Sequence, residues 1–138
     1  MSNYSEKIFV DTSAFYALID RSDRYHHRAS ALWQVLLDDN AAFITSNYVV
    51  WETMGLLQNR ICFDAASIWY RDILGITDVF WVDADVHQKA YELWLNLGRK
   101  NLSLVDCVSF VTMHRHEIEK VFCFKHFFGT QGFEVLCN

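Results

Sequence analysis

The chain has 138 residues, of which 52% are hydrophobic and 21% charged, and its 17 acidic and 12 basic side chains give a formal net charge of −5. So apolar a chain is not intrinsically disordered, and its length suits one domain with a sizeable core, residues 1–138. The acidic balance argues against a protein that simply coats nucleic acid with surplus Lys and Arg. With neither a membrane-length apolar run nor a signal-peptide pattern before Ile8, the cytoplasm is the expected location.

Short apolar runs alternate with helical patterns along the chain. The runs predict strands at residues 7–10, 41–45, 79–82, 120–124 and 133–136. Apolar spacing and capping residues predict helices at residues 12–19, 25–37, 46–59, 62–73, 83–97 and 103–116. Because strands separated by helices form βαβ units, we expect an α/β fold with a mainly parallel sheet covered on both faces.

Asp11 directly follows the first predicted strand. The carboxyl ends of strands in open α/β sheets are where ligands bind, so Asp11 is a candidate site residue. An N-cap of the following helix is an equally good interpretation, with Thr12 and Ser13 as further capping candidates. Both interpretations stay open for this residue.

Glu52 and Asp106 each lie in an apolar helical stretch. The neighbours of Glu52 one turn away are uncharged, so its carboxylate needs a cation, hydrogen bonds or a raised pKa. A buried ion pair with Arg60 is the structural alternative, although the pattern favours a functional role. Asp106 stands between Leu102 and Phe110 on its helix face, where the functional interpretation is stronger.

Together the three acids predict a site for a hard cation. Oxygen ligands from one strand end and two helices suit Mg²⁺ or Mn²⁺, which bind few protein carboxylates and keep several waters. Such a cation would offset the repulsion between the acids, polarise a phosphate and lower the pKa of a bound water. These properties point to phosphodiester hydrolysis.

The segments around the acids resemble a known family. They are residues 10–14 (VDTSA), 45–52 (TSNYVVWE) and 102–106 (LSLVD), and in this order they resemble the three acidic motifs of PIN domains. The similarity is closest to VapC-type toxins of bacterial toxin–antitoxin pairs. The ending, residues 127–136 (FFGTQGFEVL), is also similar to that family, so the resemblance runs from Ile8 to Leu136.

The resemblance implies a three-layer α/β/α sandwich around a central, mainly parallel sheet and a Mg²⁺- or Mn²⁺-dependent endoribonuclease. It assigns metal binding and catalysis to Asp11, Glu52 and Asp106. In the family, small polar residues near the acids support them or approach the substrate. The residues of this chain that match those positions are Thr12, Ser13, Asn47 and Ser103. It also implies a structured RNA substrate such as tRNA, a small cognate antitoxin and a homodimer.

The sequence departs from the family pattern at Lys125. Members usually carry a fourth acid just after the penultimate strand, and counting back from Gly132 and Phe133 places Lys125 there. The ammonium could form an internal ion pair that mimics part of the metal's charge, contact a substrate phosphate, or extend to solvent. The first possibility motivates an alternative function, a catalytically impaired PIN domain that acts by binding RNA or a partner.

Other residues contribute less to the functional prediction. A phosphatase with Asp11 as nucleophile would need a second acid two residues on, where the chain has Ser13. Among the basic residues, Arg99 and Lys100 precede the third acidic motif and are the best candidates for guiding RNA. Four tryptophans at core spacings are expected to pack inside: Trp33, Trp69, Trp81 and Trp94.

Overall fold

Five short parallel strands lie at the centre of the protein, whose computed structural model describes residues 5–137. They are β1 (Lys7–Val10), β2 (Ala42–Ser46), β3 (Asp78–Phe80), β4 (Lys120–Phe122) and β5 (Glu134–Val135). Their spatial order is β3-β2-β1-β4-β5. β1 is therefore the central strand, with Phe9 opposite Ile44 of β2 and Val121 of β4.

Helices connect every pair of consecutive strands. They are α1 (Thr12–Ile19), α2 (His26–Asp38), α3 (Asn47–Arg60), α4 (Phe63–Ile68), α5 (Ala84–Leu97), α6 (Leu104–Arg115) and α7 (Phe127–Thr130). The chain moves one way along the sheet from β1 to β3 and back the other way from β3 to β5. Because crossovers between parallel strands are right-handed, α1–α4 and α5–α7 cover opposite faces. The result confirms the predicted three-layer α/β/α architecture.

The core lies on both sides of β1. Ile8, Phe9 and Val10 are completely buried, as a central strand of a parallel sheet must be. Aromatic rings pack around it, for example Phe15 edge-on to Trp69 with 5.0 Å between ring centroids. Burial of each such large side chain stabilises the fold by about 2–3 kcal/mol. Among residues 5–137, no helix has the length and apolarity that crossing a membrane requires.

The tryptophan prediction is half right. Trp69 is fully buried and Trp33 stacks on Phe43 with 4.2 Å between ring centroids. Trp81 and Trp94 are instead 73% and 39% exposed, so the packing prediction is wrong for them. Trp81 follows the edge strand β3, and Trp94 lies on the outer side of α5 beside Tyr91.

The predicted elements are confirmed with boundary shifts that have local causes. The strand predicted at 120–124 ends at Phe122, and the amide of Phe124 donates to Ser13 Oγ at 3.0 Å. The strand predicted at 79–82 ends at Phe80, and the amide of Val82 donates to Asn47 Oδ1 at 2.8 Å. The helix predicted at 62–73 is α4 followed by a π-helical turn, Trp69–Ile73, and a 3₁₀ turn, Leu74–Ile76. The short helix α7 is not anticipated by the sequence pattern.

Helix α5 begins and ends at the residues that the sequence indicates. The Asp83 side chain accepts a hydrogen bond from the Val86 amide at the amino end. Gly98 follows the carboxyl end in the left-handed region, with φ of 55°, and its amide donates to the Trp94 carbonyl. This is the backbone conformation that favours glycine after a helix.

Gly98→Ala tests this end of α5. A side chain in the left-handed region is strained, so we expect the free energy of unfolding to fall by about 1 kcal/mol. Gly55→Ala is the matched control, since Gly55 lies inside α3 and a Cβ there would meet nothing within 4 Å. That change should raise the free energy of unfolding by about 0.5–1 kcal/mol. Urea denaturation measures both, and a Gly98→Ala protein as stable as the original would contradict the strain.

Candidate active site

Asp11 lies at the junction of β1 and α1 with its side chain fully buried. Its Oδ2 accepts hydrogen bonds from the Ser13 amide at 3.1 Å and the Ser13 hydroxyl at 2.6 Å. Asp11 is thus the N-cap of α1, in place of the other capping candidates Thr12 and Ser13. Its Oδ1 is also buried but has no hydrogen-bond partner among the described residues. Because leaving such an oxygen unpaired is unfavourable, capping does not account for the whole carboxylate.

Asp106 lies in the first turn of α6 and is 1% exposed. Its Oδ2 accepts from the Ser103 amide, and the Ser103 hydroxyl accepts from the Asp106 amide, each at 3.1 Å. This reciprocal pair is a capping box, which fixes the orientation of the carboxylate. The group of Ser103 that contacts the Asp106 carboxylate is thus its backbone amide and not its hydroxyl. The second oxygen of Asp106, Oδ1, points to the ammonium group of Lys125.

Lys125 joins the two buried acids. Its Nζ lies 3.0 Å from Asp106 Oδ1, to which it donates a hydrogen bond, and 3.9 Å from Asp11 Oδ2. The Lys125 side chain is 33% exposed, whereas the side chains of Asp106 and Asp11 are almost completely buried. Burial works against the charged form of Lys125, but the attraction of Asp11, Asp106 and Glu52 outweighs it and holds the pKa of Lys125 above its ordinary value. The sequence position expected to carry a fourth acid thus supplies a cation.

Glu52 is half-buried on α3 and belongs to the same cluster. Burial raises the pKa of Glu52, and the charges of Asp11 and Asp106 add to this rise, while the Thr12 hydroxyl and the Lys125 ammonium oppose it. Within the part of the chain that the structure describes, Glu52 forms no salt bridge with Arg60, so the structural alternative is not observed. Glu52 is the acid of the three that lines an open cavity.

That cavity has a volume of about 330 Å³ and adjoins the acids. It brings together residues that the sequence pattern singled out and others that it did not. Besides Glu52, its walls consist of Thr12, Ser13, Tyr16, Asp23, Tyr25, Leu56, Arg60, Phe124 and Lys125.

Aromatic and cationic side chains line one part of this cavity. Tyr25 and Phe124 stack with 4.4 Å between ring centroids, and Arg24 Cζ lies 4.5 Å from the Tyr25 centroid. Arg60 Cζ lies 5.6 Å from the Tyr16 centroid. The sequence offered no signal for the Tyr25–Phe124 and Arg60–Tyr16 contacts, since the two residues of each pair lie far apart in it. They meet because the fold brings α1, the start of α2, the end of α3 and the segment after β4 together around this cavity.

The remaining predicted residues occupy different places. The Thr12 hydroxyl accepts a hydrogen bond from the buried Thr53 hydroxyl at 3.1 Å, which ties α1 to α3 beside the acids. Asn47 does not line the acidic cavity, because its side chain holds the Val82 amide and faces an apolar groove of about 560 Å³. Arg99 and Lys100 likewise line a separate cavity near Trp94.

A divalent cation is the group that the resemblance implies for this site. The available donors are carboxylate oxygens, which suit a hard cation, and Asp11 Oδ1 is buried without a partner. Two observations oppose metal binding in this arrangement. The Lys125 ammonium already donates to Asp106 Oδ1. Among residues 5–137, no group of three or more Asp, Glu, His or Cys side chains lies close enough together to hold a metal ion. The donor chemistry therefore fits a hard cation, but binding one would require the Lys125 ammonium to move away and the three acids to draw closer together.

The chain is similar to known proteins in sequence and in fold. The sequence matches the PIN domain family over residues 8–127. It is 34% identical over 128 residues to the "23S rRNA-specific endonuclease VapC20" of Mycobacterium tuberculosis, from strains CDC 1551 / Oshkosh and ATCC 25618 / H37Rv. This alignment covers 91% of this chain and 95% of the relative.

A solved structure is similar as well. The crystal structure of Mycobacterium tuberculosis VapC20, described as a Sarcin-Ricin loop cleaving toxin, superposes with a TM-score of 0.81 and 31% sequence identity. The match covers 91% of this chain and 95% of that one. The family match, the sequence similarity and the shared fold lead to one conclusion: the chain belongs to the PIN-domain family and is similar to its VapC-type endonuclease toxins.

Proposed function

We propose that the protein is a VapC-type endoribonuclease that hydrolyses RNA phosphodiester bonds with a divalent cation, Mg²⁺ or Mn²⁺, held by Asp11, Glu52 and Asp106. The observation that carries this proposal is the unpartnered, buried Asp11 Oδ1 beside two further carboxylates at the carboxyl edge of the sheet. Similarity to a named endonuclease over 91% of the chain favours an active nuclease over the catalytically impaired alternative.

Each acid has a distinct part in this chemistry. A bound divalent cation would polarise the phosphate and lower the pKa of a coordinated water. Asp11 and Asp106 would hold it, each oriented by a serine, Ser13 or Ser103. Glu52, on the open cavity wall, is the acid that can reach the attacking water and the substrate.

The cavity beside Glu52 is where we place the RNA. Its aromatic walls, Tyr16, Tyr25 and Phe124, provide surfaces for bases, because nucleobases stack on aromatic rings without regard to sequence. Arg60 supplies a positive charge for the backbone phosphate next to the reaction site. This placement replaces Arg99 and Lys100 as the leading RNA contacts, since they line another cavity.

The substrate and partners follow from the relatives and from the family resemblance. Because the similar protein is named for 23S rRNA and its structure for the Sarcin-Ricin loop, we propose a structured RNA hairpin in ribosomal RNA as the substrate, with tRNA as the second candidate. Because ribosomes are cytoplasmic, we propose that the protein acts in the cytoplasm. We also propose that a small cognate antitoxin binds the protein and that the protein forms a homodimer.

Asp11→Asn and Asp106→Asn test the cation site. Each change removes a charged ligand, and since such a cation contributes several kcal/mol to the transition state, cleavage of an RNA hairpin should slow by about 100-fold or more. Asp39→Asn, at the exposed end of α2, is the matched control and should cleave normally. Cleavage by the unchanged protein should stop in excess EDTA and resume with Mg²⁺ or Mn²⁺. Cleavage that persists in EDTA would overturn the mechanism.

Arg60→Ala tests the RNA path. In an Asp11→Asn background, which leaves the RNA uncut, loss of this guanidinium should weaken RNA binding by about ten-fold, the value of one charge-assisted contact. Arg71→Ala is the control, because Arg71 is exposed, paired with Asp72 at 2.8 Å and outside the cavity. Fluorescence anisotropy with a labelled hairpin measures both. Equal losses of RNA affinity for the two variants would mean that both arginines act only through the overall charge of the protein. The RNA would then not bind along this cavity.

A further inference from the structure

Two carboxylate oxygens in the cluster are not held by Ser13 or Ser103. Asp11 Oδ1 is buried without a partner, and Asp106 Oδ1 accepts from the Lys125 ammonium at 3.0 Å. Both are carboxylate oxygens that helix capping leaves available to a cation. Lys125 therefore occupies one of the two coordination positions that the buried acids offer.

The backbone around Lys125 is anchored while its side chain is not enclosed. The Phe124 amide donates to Ser13 Oγ at 3.0 Å, and the Cys123 thiol donates to the Lys125 carbonyl at 3.3 Å. The side chain is one-third exposed and lines the open cavity. Its four-carbon chain can rotate into that cavity without any change in the fold.

The buried acids need a positive charge between them, but the Lys125 ammonium and a divalent cation cannot both occupy that position. Removing one partner of a buried ion pair destabilises a protein by about 3–5 kcal/mol, because the remaining charge is left unpaired. A divalent cation and an ammonium group about 4 Å apart would repel each other by several kcal/mol even at a moderate effective dielectric constant. Lys125 and the divalent cation are thus alternative occupants of one position.

Resting on the proposed function, we propose that Lys125 is a displaceable internal counter-ion. In the metal-free protein its ammonium holds Asp11 and Asp106 in place and keeps their charges paired. When a divalent cation binds, Lys125 rotates into the cavity, where its ammonium faces the RNA backbone. Metal binding by this chain is then an exchange of cations, and its affinity is set by the ion pair that must be broken.

Calorimetric titration with Mn²⁺, without RNA, is the first test. Lys125→Met keeps the length of the side chain but removes its charge, so Mn²⁺ should bind at least about ten-fold more tightly than to the unchanged protein. Lys120→Met is the matched control. Lys120 also pairs with two acids, Glu6 and Glu134, but lies at the start of β4, away from the site. Its loss should leave Mn²⁺ affinity unchanged.

Amine acylation of the unchanged protein is the second test and does not depend on a variant that folds. Lys125 should react slowly with N-hydroxysuccinimide acetate in EDTA and several-fold faster with saturating Mn²⁺, read by peptide mass spectrometry. Lys120 is the internal reference and should react at the same rate in both conditions.

The outcomes separate this inference from the proposed function. Equal Mn²⁺ affinity in Lys125→Met and the unchanged protein, or Lys125 acylation that does not respond to bound Mn²⁺, would overturn the exchange while leaving the metal-dependent nuclease intact. No Mn²⁺ binding in either protein would overturn both the exchange and the proposed metal site. Tighter binding together with faster acylation would support the exchange.

Discussion

Asp11 and Asp106 bring two carboxylates into the interior at one edge of the sheet, and the rest of the site is arranged around keeping those charges there. Asp11 is fully buried and Asp106 nearly so, a state that is stable only with hydrogen bonds and opposite charge. Ser13 and Ser103 provide the hydrogen bonds, and Lys125 provides the charge. The segment after β4 is held to α1 by the same Ser13 hydroxyl, so the acids also determine where Lys125 stands.

Helix capping and site chemistry are not competing roles for these acids. Asp11 caps α1 and Asp106 completes the capping box of α6, so each carboxylate lies at the positive end of a helix dipole. Capping engages one oxygen of each side chain, Oδ2, and orients the other. A carboxylate oriented in this way needs little reorganisation when a cation or substrate arrives. The two interpretations of Asp11 that its sequence position left open are therefore compatible with each other.

Local sequence patterns predicted most of the fold because the strands are buried apolar runs and the helices carry capping residues, as at Asp83 and Gly98. They failed where tertiary contacts decide the outcome. Trp81 has core spacing but follows an edge strand, and it is 73% exposed. Asn47 has the position of a site residue, yet its amide side chain is used to hold Val82. The grouping of Asp11, Asp106 and Lys125 could be expected from sequence order, whereas the stacking of Tyr25 on Phe124 depends on segments that only the fold brings together.

The acidic balance of the chain is consistent with an RNA substrate because the relevant charge is local. Overall the protein carries −5, but the rim of the cavity carries Arg60 and Lys125, with Arg24 and Arg28 beside the Tyr25–Phe124 stack. Glu52 and Asp23 line the same cavity, whereas Asp11 and Asp106 are buried beside the Lys125 ammonium and present less negative potential to the solvent. Screening at physiological ionic strength limits the reach of the more distant surface acids to about 8 Å. The lining acids and bases of the cavity balance each other, so a divalent ion that displaces Lys125 would tip this balance: it would add positive charge beside the acids and leave the ammonium in the cavity, where an RNA phosphate would lie.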